Sequence, residues 1–281
     1  MSTLCVDPVA RAYYCRVMGR LADSGIPFLV GGAYAFERYT GISRNTKDFD
    51  LFLHPRDVDR ALEALAAAGC ETCLPFPHWL AKASCGEDVV DIIFSSGNGI
   101  ALVDDTWFHH SVADTVLGVE VRLIPPEEMI WSKAFIMERE RFDGGDVVHL
   151  LHARAHELDW ERLLRRFGQR HYRVLLTHLV LFGFIYPNER DRIPNDVMGV
   201  LIGALEGELH RPPPPGRVCQ GTLLSRAQFQ VDVNQWGYQD ARTEPDVRMT
   251  DEHIAQWTDA IADEIRTYGC NQRDGSAGGS G

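Results

Sequence analysis

The chain predicts a mixed α/β unit over residues 1–124, a small mixed β-sheet flanked by helices, followed by a helical unit over 125–211. Three observations lead there. Short apolar runs bounded by glycine and proline alternate with helical periodicity up to about residue 124. After Pro125-Pro126 the period is helical throughout. The 281 residues, 45% hydrophobic and 24% charged, suffice to bury a large core. Pro212 to Pro215 forms a semi-rigid polyproline stretch that opens a linker and C-terminal extension over residues 212–270. Residues 271–281, ending in GSAGGSG, read as a flexible tail.

Residues 8–23 start with Pro8 at a first-turn position and carry Val9, Tyr13, Val17 and Leu21 at helical spacing, so they predict a helix ending before Gly25. Residues 26–30 are a buried strand running into Gly31-Gly32, residues 33–39 a short helix, and residues 49–53 a second strand. Pro55 opens a helix that Gly69 stops. Residues 79–84 and 88–94 are further strands, with Gly97-Asn98-Gly99 as the turn behind them, and residues 119–124 are one more. Helices are predicted over 127–141, 146–155, 160–167, 172–184, 196–209 and 251–268.

Composition excludes several classes. With 28 Lys and Arg against 40 Asp and Glu, the formal charge of −12 opposes generic binding to DNA. The most apolar stretch, 174–186, is broken by Thr177 and His178 and is too short for a bilayer span, so no membrane partner is expected. Seven cysteines, an odd and scattered set, suit a reducing, cytoplasmic setting, and the N-terminus shows no signal-peptide pattern. Cys70-x-x-Cys73 lacks a second pair at zinc-ribbon spacing and reads as structural.

Chemistry concentrates in three places. A strand feeds a helix through Gly31-Gly32, where backbone N–H groups can approach a phosphate and the helix N-terminus adds its positive end. The next strand carries Asp48-Phe49-Asp50. Residues two apart share a face, so Asp48 and Asp50 project together with attachment points about 6.5–7 Å apart, while Phe49 and Leu51 face the core. Such a pair can straddle two divalent ions about 3.5–4 Å apart. Asp91 is a lone carboxylate in the apolar strand 89–94. Asp-x-Asp alone carries little: Asp57-Val58-Asp59 repeats it at a helix start, where solvated surface and capping are expected.

Together, Val30-Gly31-Gly32 and Arg44-Asn45-Thr46-Lys47-Asp48-Phe49-Asp50-Leu51 resemble the core motif of the nucleotidyltransferase superfamily typified by DNA polymerase β. The likeness is strongest to its minimal and antibiotic- or toxin-type bacterial members. It spans residues 26–94, and the fifteen residues between Gly32 and Asp48 slightly exceed the usual spacing. The resemblance implies transfer of a nucleoside monophosphate from an NTP, ATP among them, to a hydroxyl with release of pyrophosphate. It implies that Gly31 and Gly32 hold the triphosphate and that Asp48 and Asp50 bind two Mg²⁺ ions. Asp91 would be the third carboxylate, shared with metal or activating the acceptor. Lys133, in a Lys-Arg-Asp run that also includes Arg139, Arg141, Asp143 and Asp146, is the candidate for a triphosphate contact. Arg44 is placed either on phosphate or in a carboxylate pair. The acceptor stays open among small molecule, RNA and protein. The alternative is a non-catalytic nucleotide- or partner-binding protein on the same fold.

Two further clusters have expectations of their own. His149, His152 and His156 share a face of one helix; an ordinary polar face is expected, with zinc-dependent hydrolysis as the rival. Arg162, Arg165, Arg166, Arg170 and Arg173 read as a solvated helix face or, failing that, a polyanionic acceptor site.

Overall fold

A computed structural model describes residues 7–44, 46, 48–245, 247 and 249–260. The tail 271–281, the end of the predicted helix beyond residue 260, Asn45, Lys47, Cys5 and Cys270 lie outside the described residues.

Helix α1 (Pro8–Asp23) begins as Pro8 predicts: Asp7 caps it through Oδ1, which accepts from the N–H of Val9 at 2.8 Å. Strand β1 shrinks from the expected 26–30 to Leu29–Val30. Pro27 has no N–H to give a ladder, and the Ile26 N–H is spent closing α1 on the Leu21 carbonyl at 3.0 Å. Helix α2 (Gly32–Thr40), strand β2 (Asp48–Phe52) and helix α3 (Val58–Ala67) follow as the sequence predicts. Strands β4 (Leu80–Cys85) and β5 (Asp88–Ile93) follow as well. Before them comes β3 (Glu71–Phe76), an edge strand with Pro75 inside it, which the pattern of buried residues does not reveal because much of it faces solvent. Helix α4 (Asp105–His109) and the other edge strand, β6 (Val112–Val116), escaped for the same reason, whereas β7 (Val119–Leu123) matches.

The seven strands form one mixed sheet in the order β3-β4-β5-β2-β1-β7-β6. Phe49, Leu51, Ala81, Ala83, Val90 and Ile92 are fully buried on one face, under α1 and α3. The alternate residues of β2, β4 and β5 face the other way and are less buried. Phe49 is clamped by Tyr14, stacked at 4.8 Å, and by Tyr34 of α2, edge-on at 4.9 Å. The strand that bears the carboxylates is thereby fixed to both neighbouring helices.

Helix α5 (Pro126–Ala134) is shorter than the expected 127–141. Past Phe135 the chain forms a turn instead. Met137 bridges Phe142, the Glu138 N–H reaches the Arg141 carbonyl at 2.8 Å, and the Met137 N–H donates to the Leu224 carbonyl at 3.1 Å. These tertiary bonds replace the last helical turns, and Arg139 and Arg141 leave the helix. Helix α6 (Gly144–Arg154) packs on α2 and α5. The two helices expected over 160–167 and 172–184 join as α7 (Trp160–Ile185), kinked where Gly168 adopts φ 57°, ψ −169°. After α8 (Asn195–Leu209) come the short strand β8 (Val218–Cys219), the one-turn helix α9 (Gln230–Asn234) and β9 (Gln239–Asp240), which pairs with β8. Residues 251–260 form helix α10. This segment folds back: Asn98 donates to the Leu223 carbonyl at 2.7 Å, and Trp257 of α10 meets Phe76 edge-on at 5.0 Å. No described helix is long and apolar enough to cross a membrane.

The arginine-rich stretch is a correction. Each arginine has a carboxylate partner: Arg162 with Glu127, Arg165 with Glu161, Arg166 with Asp104 and Glu128, Arg170 with Glu244, and Arg173 with Glu208. Arg162 is buried, and Arg166 lies at 4.9 Å over the Trp131 ring. Arg165 and Arg173 stay exposed, as a solvated face has them, whereas Arg162 leaves the surface. Removing Arg162 leaves Glu127 buried without its cation, while Glu128 keeps Arg166, so Arg162→Ala is expected to cost about 3–5 kcal/mol in a denaturant titration.

Candidate active site

Register brings the acidic residues together. Strands β2 and β5 are parallel, with Asp48 opposite Val89 and Asp50 directly opposite Asp91. Neighbouring strands lie about 4.8 Å apart, so Asp50 and Asp91 stand side by side on the face opposite the core, and Asp48 lies one pleat away. Asp48 is exposed, while Asp50 and Asp91 are half-buried.

The glycine elbow meets this row. The Gly31 N–H donates to the Asp50 carbonyl at 3.0 Å, so the start of α2 is tied to the strand that bears the acids. Gly32 has φ +54°, and a Cβ there would sit 1.6 Å from Asp50 Oδ2. A Cβ on Gly31 would sit 2.2 Å from the Phe52 ring. Both positions exclude any side chain: one makes room for a carboxylate, the other for the aromatic beneath it. No side chain caps α2, and the first N–H groups of a helix have no intrahelical acceptor. They form a positive, donor-rich end next to Asp50.

Among the described residues, neither Asp48 nor Asp50 has a salt bridge or a side-chain hydrogen bond. Burial, with Asp91 and Asp48 adding repulsion, pushes the Asp50 carboxyl up to about 6, and Lys133 and Arg141 oppose the rise. Asp91 is also raised, chiefly by burial, although Lys82 of β4 donates to its Oδ1 at 2.8 Å and works the other way. Two hard carboxylates beside a donor-rich helix start, one held above its ordinary range by burial and by its acidic neighbours, suit a divalent ion. Mg²⁺ takes one or two carboxylates and completes its shell with water and substrate phosphate. Among the described residues no three His, Cys, Asp or Glu side chains gather closely enough to hold an ion by themselves.

A second, mixed cluster flanks the row. Lys133 Nζ lies 2.8 Å from Asp143 and 2.9 Å from Asp146, Arg141 grips Asp143 at 2.9 Å, and Arg44 pairs with Asp146. Burial alone would raise Asp143, but Arg141 and Lys133 outweigh it and hold that carboxyl below its ordinary range. Arg44 also stacks over Phe36 of α2 at 4.6 Å. Of the two placements expected for Arg44, the structure gives the carboxylate pair. Lys133 is half-shielded by two acids rather than standing as a bare surface lysine. Arg139 takes no part in this cluster.

The other acidic and histidine candidates separate. Asp57 is buried and paired with Arg60 at 3.1 Å, not a solvated cap as expected, while Asp59 is exposed. Helix α6 ends at Arg154, so His156 lies beyond it. It sits 3.2 Å from Glu157, and His152 sits 3.2 Å from Glu189. The three imidazoles do not share a helix face, and among the described residues no three candidate ligands gather there. Lys82 is the residue that sequence reasoning missed. Its only signal is a charge at an alternating position of Leu80-Ala81-Lys82-Ala83, and nothing local says that the strand lies beside Asp91.

Residues 10–169, more than half of the chain, match the family model described as "Nucleotidyl transferase of unknown function (DUF2204)". No curated protein matches the chain. Among solved structures, it is similar to the antibiotic-resistance factor ANT(2'')-Ia, at 12% identity and TM-score 0.40, covering 73% of this chain and 99% of that one. It is also similar to the lincosamide antibiotic adenylyltransferase LnuA bound to lincomycin, at 12% identity and TM-score 0.37, covering 52% and 96%. An antigenic nucleotidyltransferase-like protein from Paracoccidioides brasiliensis gives 17% identity and TM-score 0.43, covering 65% and 91%. These structural likenesses are loose, and the family model alone carries the assignment. The chain belongs to the nucleotidyl transferase family DUF2204.

Proposed function

We propose that the protein transfers a nucleoside monophosphate from an NTP, ATP among them, to a hydroxyl acceptor, with Mg²⁺ and release of pyrophosphate. One observation carries this. Asp48 and Asp50 share an open sheet face without counter-ions among the described residues, and Asp50 presses against a glycine elbow that admits no side chain. A structural protein gains nothing from leaving such charge uncompensated. That also weighs against a non-catalytic binder on the same fold.

In this mechanism Asp48 and Asp50 would hold the metal, two ions by the family resemblance, with Asp91 as the third carboxylate. Bound there, the metal supplies neutralisation of charge on the triphosphate as the α-phosphorus is attacked. The protein's own part is placement. Gly31 and Gly32 bring backbone N–H groups to the triphosphate, and Lys133 and Arg44 exchange Asp143 and Asp146 for phosphate oxygens. Holding the acceptor in line with the α-phosphorus then supplies most of the acceleration. We read residues 1–124 as the catalytic unit, 125–211 as a helical unit bearing Lys133, and 212–270 as a linker and extension. The cysteine set fits a reducing cytoplasm. The acceptor class is open among small molecule, RNA and protein.

Incubation of the protein with α-labelled NTPs and cell extract tests the reaction. Label is expected in one acceptor fraction, and in none with Asp48→Asn. Label that appears equally with that variant contradicts the assignment. Lys133→Ala is expected to raise KM for the NTP about 10- to 100-fold with a smaller change in kcat, measured by pyrophosphate release, because a charge-assisted phosphate contact is lost.

A further inference from the structure

We propose that Lys82 is a positioning residue that reserves Asp91 for the acceptor, leaving Asp48 and Asp50 as the carboxylates that meet the metal. This rests on the nucleotidyl-transfer proposal above. Four side chains form one row across the sheet: Cys73 of β3 pairs with Lys82 of β4, Lys82 with Asp91 of β5, and Asp91 with Asp50 of β2. Asp91 therefore stands between an ammonium and a carboxylate. Attraction to Lys82 and repulsion from Asp50 act in the same direction and draw the Asp91 carboxyl towards β4. The contact is made: Lys82 Nζ lies 2.8 Å from Asp91 Oδ1, and the two side chains retain 35% and 15% of their exposure. In keeping with this, the three acids do not gather into a metal-holding group among the described residues.

A carboxylate held by one oxygen keeps the other for chemistry. Asp91 Oδ2 accepts no hydrogen bond among the described residues, and its position beside Asp50 would put it next to a triphosphate bound on that metal site. Beyond Lys82 the row runs out to exposed Cys73 on the edge strand, a side from which an acceptor could reach Asp91. The step balances. The acceptor O–H bond breaks and its proton goes to Asp91 Oδ2. The freed oxygen pair forms the bond to the α-phosphorus, and the bond from that phosphorus to the bridging oxygen breaks, its electron pair leaving with pyrophosphate. Lys82 stays an ammonium throughout.

Mn²⁺ titration read by electron paramagnetic resonance, with α,β-methylene-ATP present, tests this without a known acceptor. Asp48→Asn is expected to weaken Mn²⁺ about 10- to 100-fold and Asp91→Asn less than about twofold. Lys82→Met is expected to tighten Mn²⁺ several-fold, because the released Asp91 can turn to the ion. Lys82→Arg keeps the wild-type affinity. With cell extract supplying the acceptor, transfer of label from α-labelled ATP is expected to fall about 100-fold in Lys82→Met and to recover to within about tenfold of wild type in Lys82→Arg. The proposal is overturned if Asp91→Asn weakens Mn²⁺ as much as Asp48→Asn does, or if Lys82→Met changes neither readout. Should Lys82→Met not fold, the comparison of the two aspartate variants decides alone. If Asp48→Asn leaves Mn²⁺ binding intact, the metal assignment itself fails, and that outcome is distinct from both others.

Discussion

Asp50→Asn is expected to lower nucleotidyl transfer at least about 10³-fold while making the metal-free protein more stable. The loss follows from removing a ligand whose charge is needed where negative charge accumulates, a deletion that costs about 4 kcal/mol of transition-state stabilisation. The gain has the same origin. Burial and two neighbouring acids lift Asp50 to about 6 in the folded protein. Both folded and unfolded chains bind its proton at pH 3. As pH rises through the ordinary carboxyl range towards 6, the unfolded chain releases the proton first, so folding is progressively penalised. Above pH 7 the penalty is at most about 3 kcal/mol, since each tenfold difference in proton affinity between the two states is worth about 1.4 kcal/mol. Asparagine escapes it. In thermal melts without metal, the variant and wild type should coincide near pH 3, and the variant should melt several degrees higher at pH 7.5. Adding Mg²⁺ at pH 7.5 should close that gap by stabilising the wild type alone. A variant that is less stable at pH 7.5 contradicts the uncompensated charge.

Gly32→Ala is the second large effect. Its φ of +54° alone costs a residue with a Cβ about 1–2 kcal/mol. The added carbon would also fall 1.6 Å from Asp50 Oδ2, so either the acid or the start of α2 must move. Displacing a catalytic group by about 1 Å commonly costs about 100-fold in rate, and that loss in kcat/KM is expected here. Gly69→Ala is the control. Its φ is +85°, but nothing lies within 4 Å of the added carbon, so it should lose stability by a similar backbone strain and keep wild-type turnover. If both variants keep full activity, the Gly32–Asp50 contact has no functional meaning.

How much of this was legible in the sequence depends on how local each signal was. Pro8 announces α1 because its fixed φ suits a first helical turn. Asp48-Phe49-Asp50 reveals its faces because a strand has period two, and Phe49 is indeed fully buried. The row from Asp50 to Asp91 needed only that two apolar strands pair in register. Lys82 was hidden because its meaning depends on which strand β4 joins. The arginines of α7 misled because their partners, Asp104, Glu127, Glu128, Glu208 and Glu244, lie 35 to 74 residues away in sequence. Helix α5 stopped early because Leu224, far along the chain, takes the Met137 N–H. Edge strands β3 and β6 bury too little to leave a pattern.

Calorimetric titration of α,β-methylene-ATP, with and without Mg²⁺, into wild type and the Asp48→Asn/Asp50→Asn double variant tests the central claim most directly. Binding should require Mg²⁺ in the wild type and vanish in the double variant. Equal binding without metal, or undiminished Mg²⁺-dependent binding by the double variant, would mean that the acids of β2 do not form the nucleotide site.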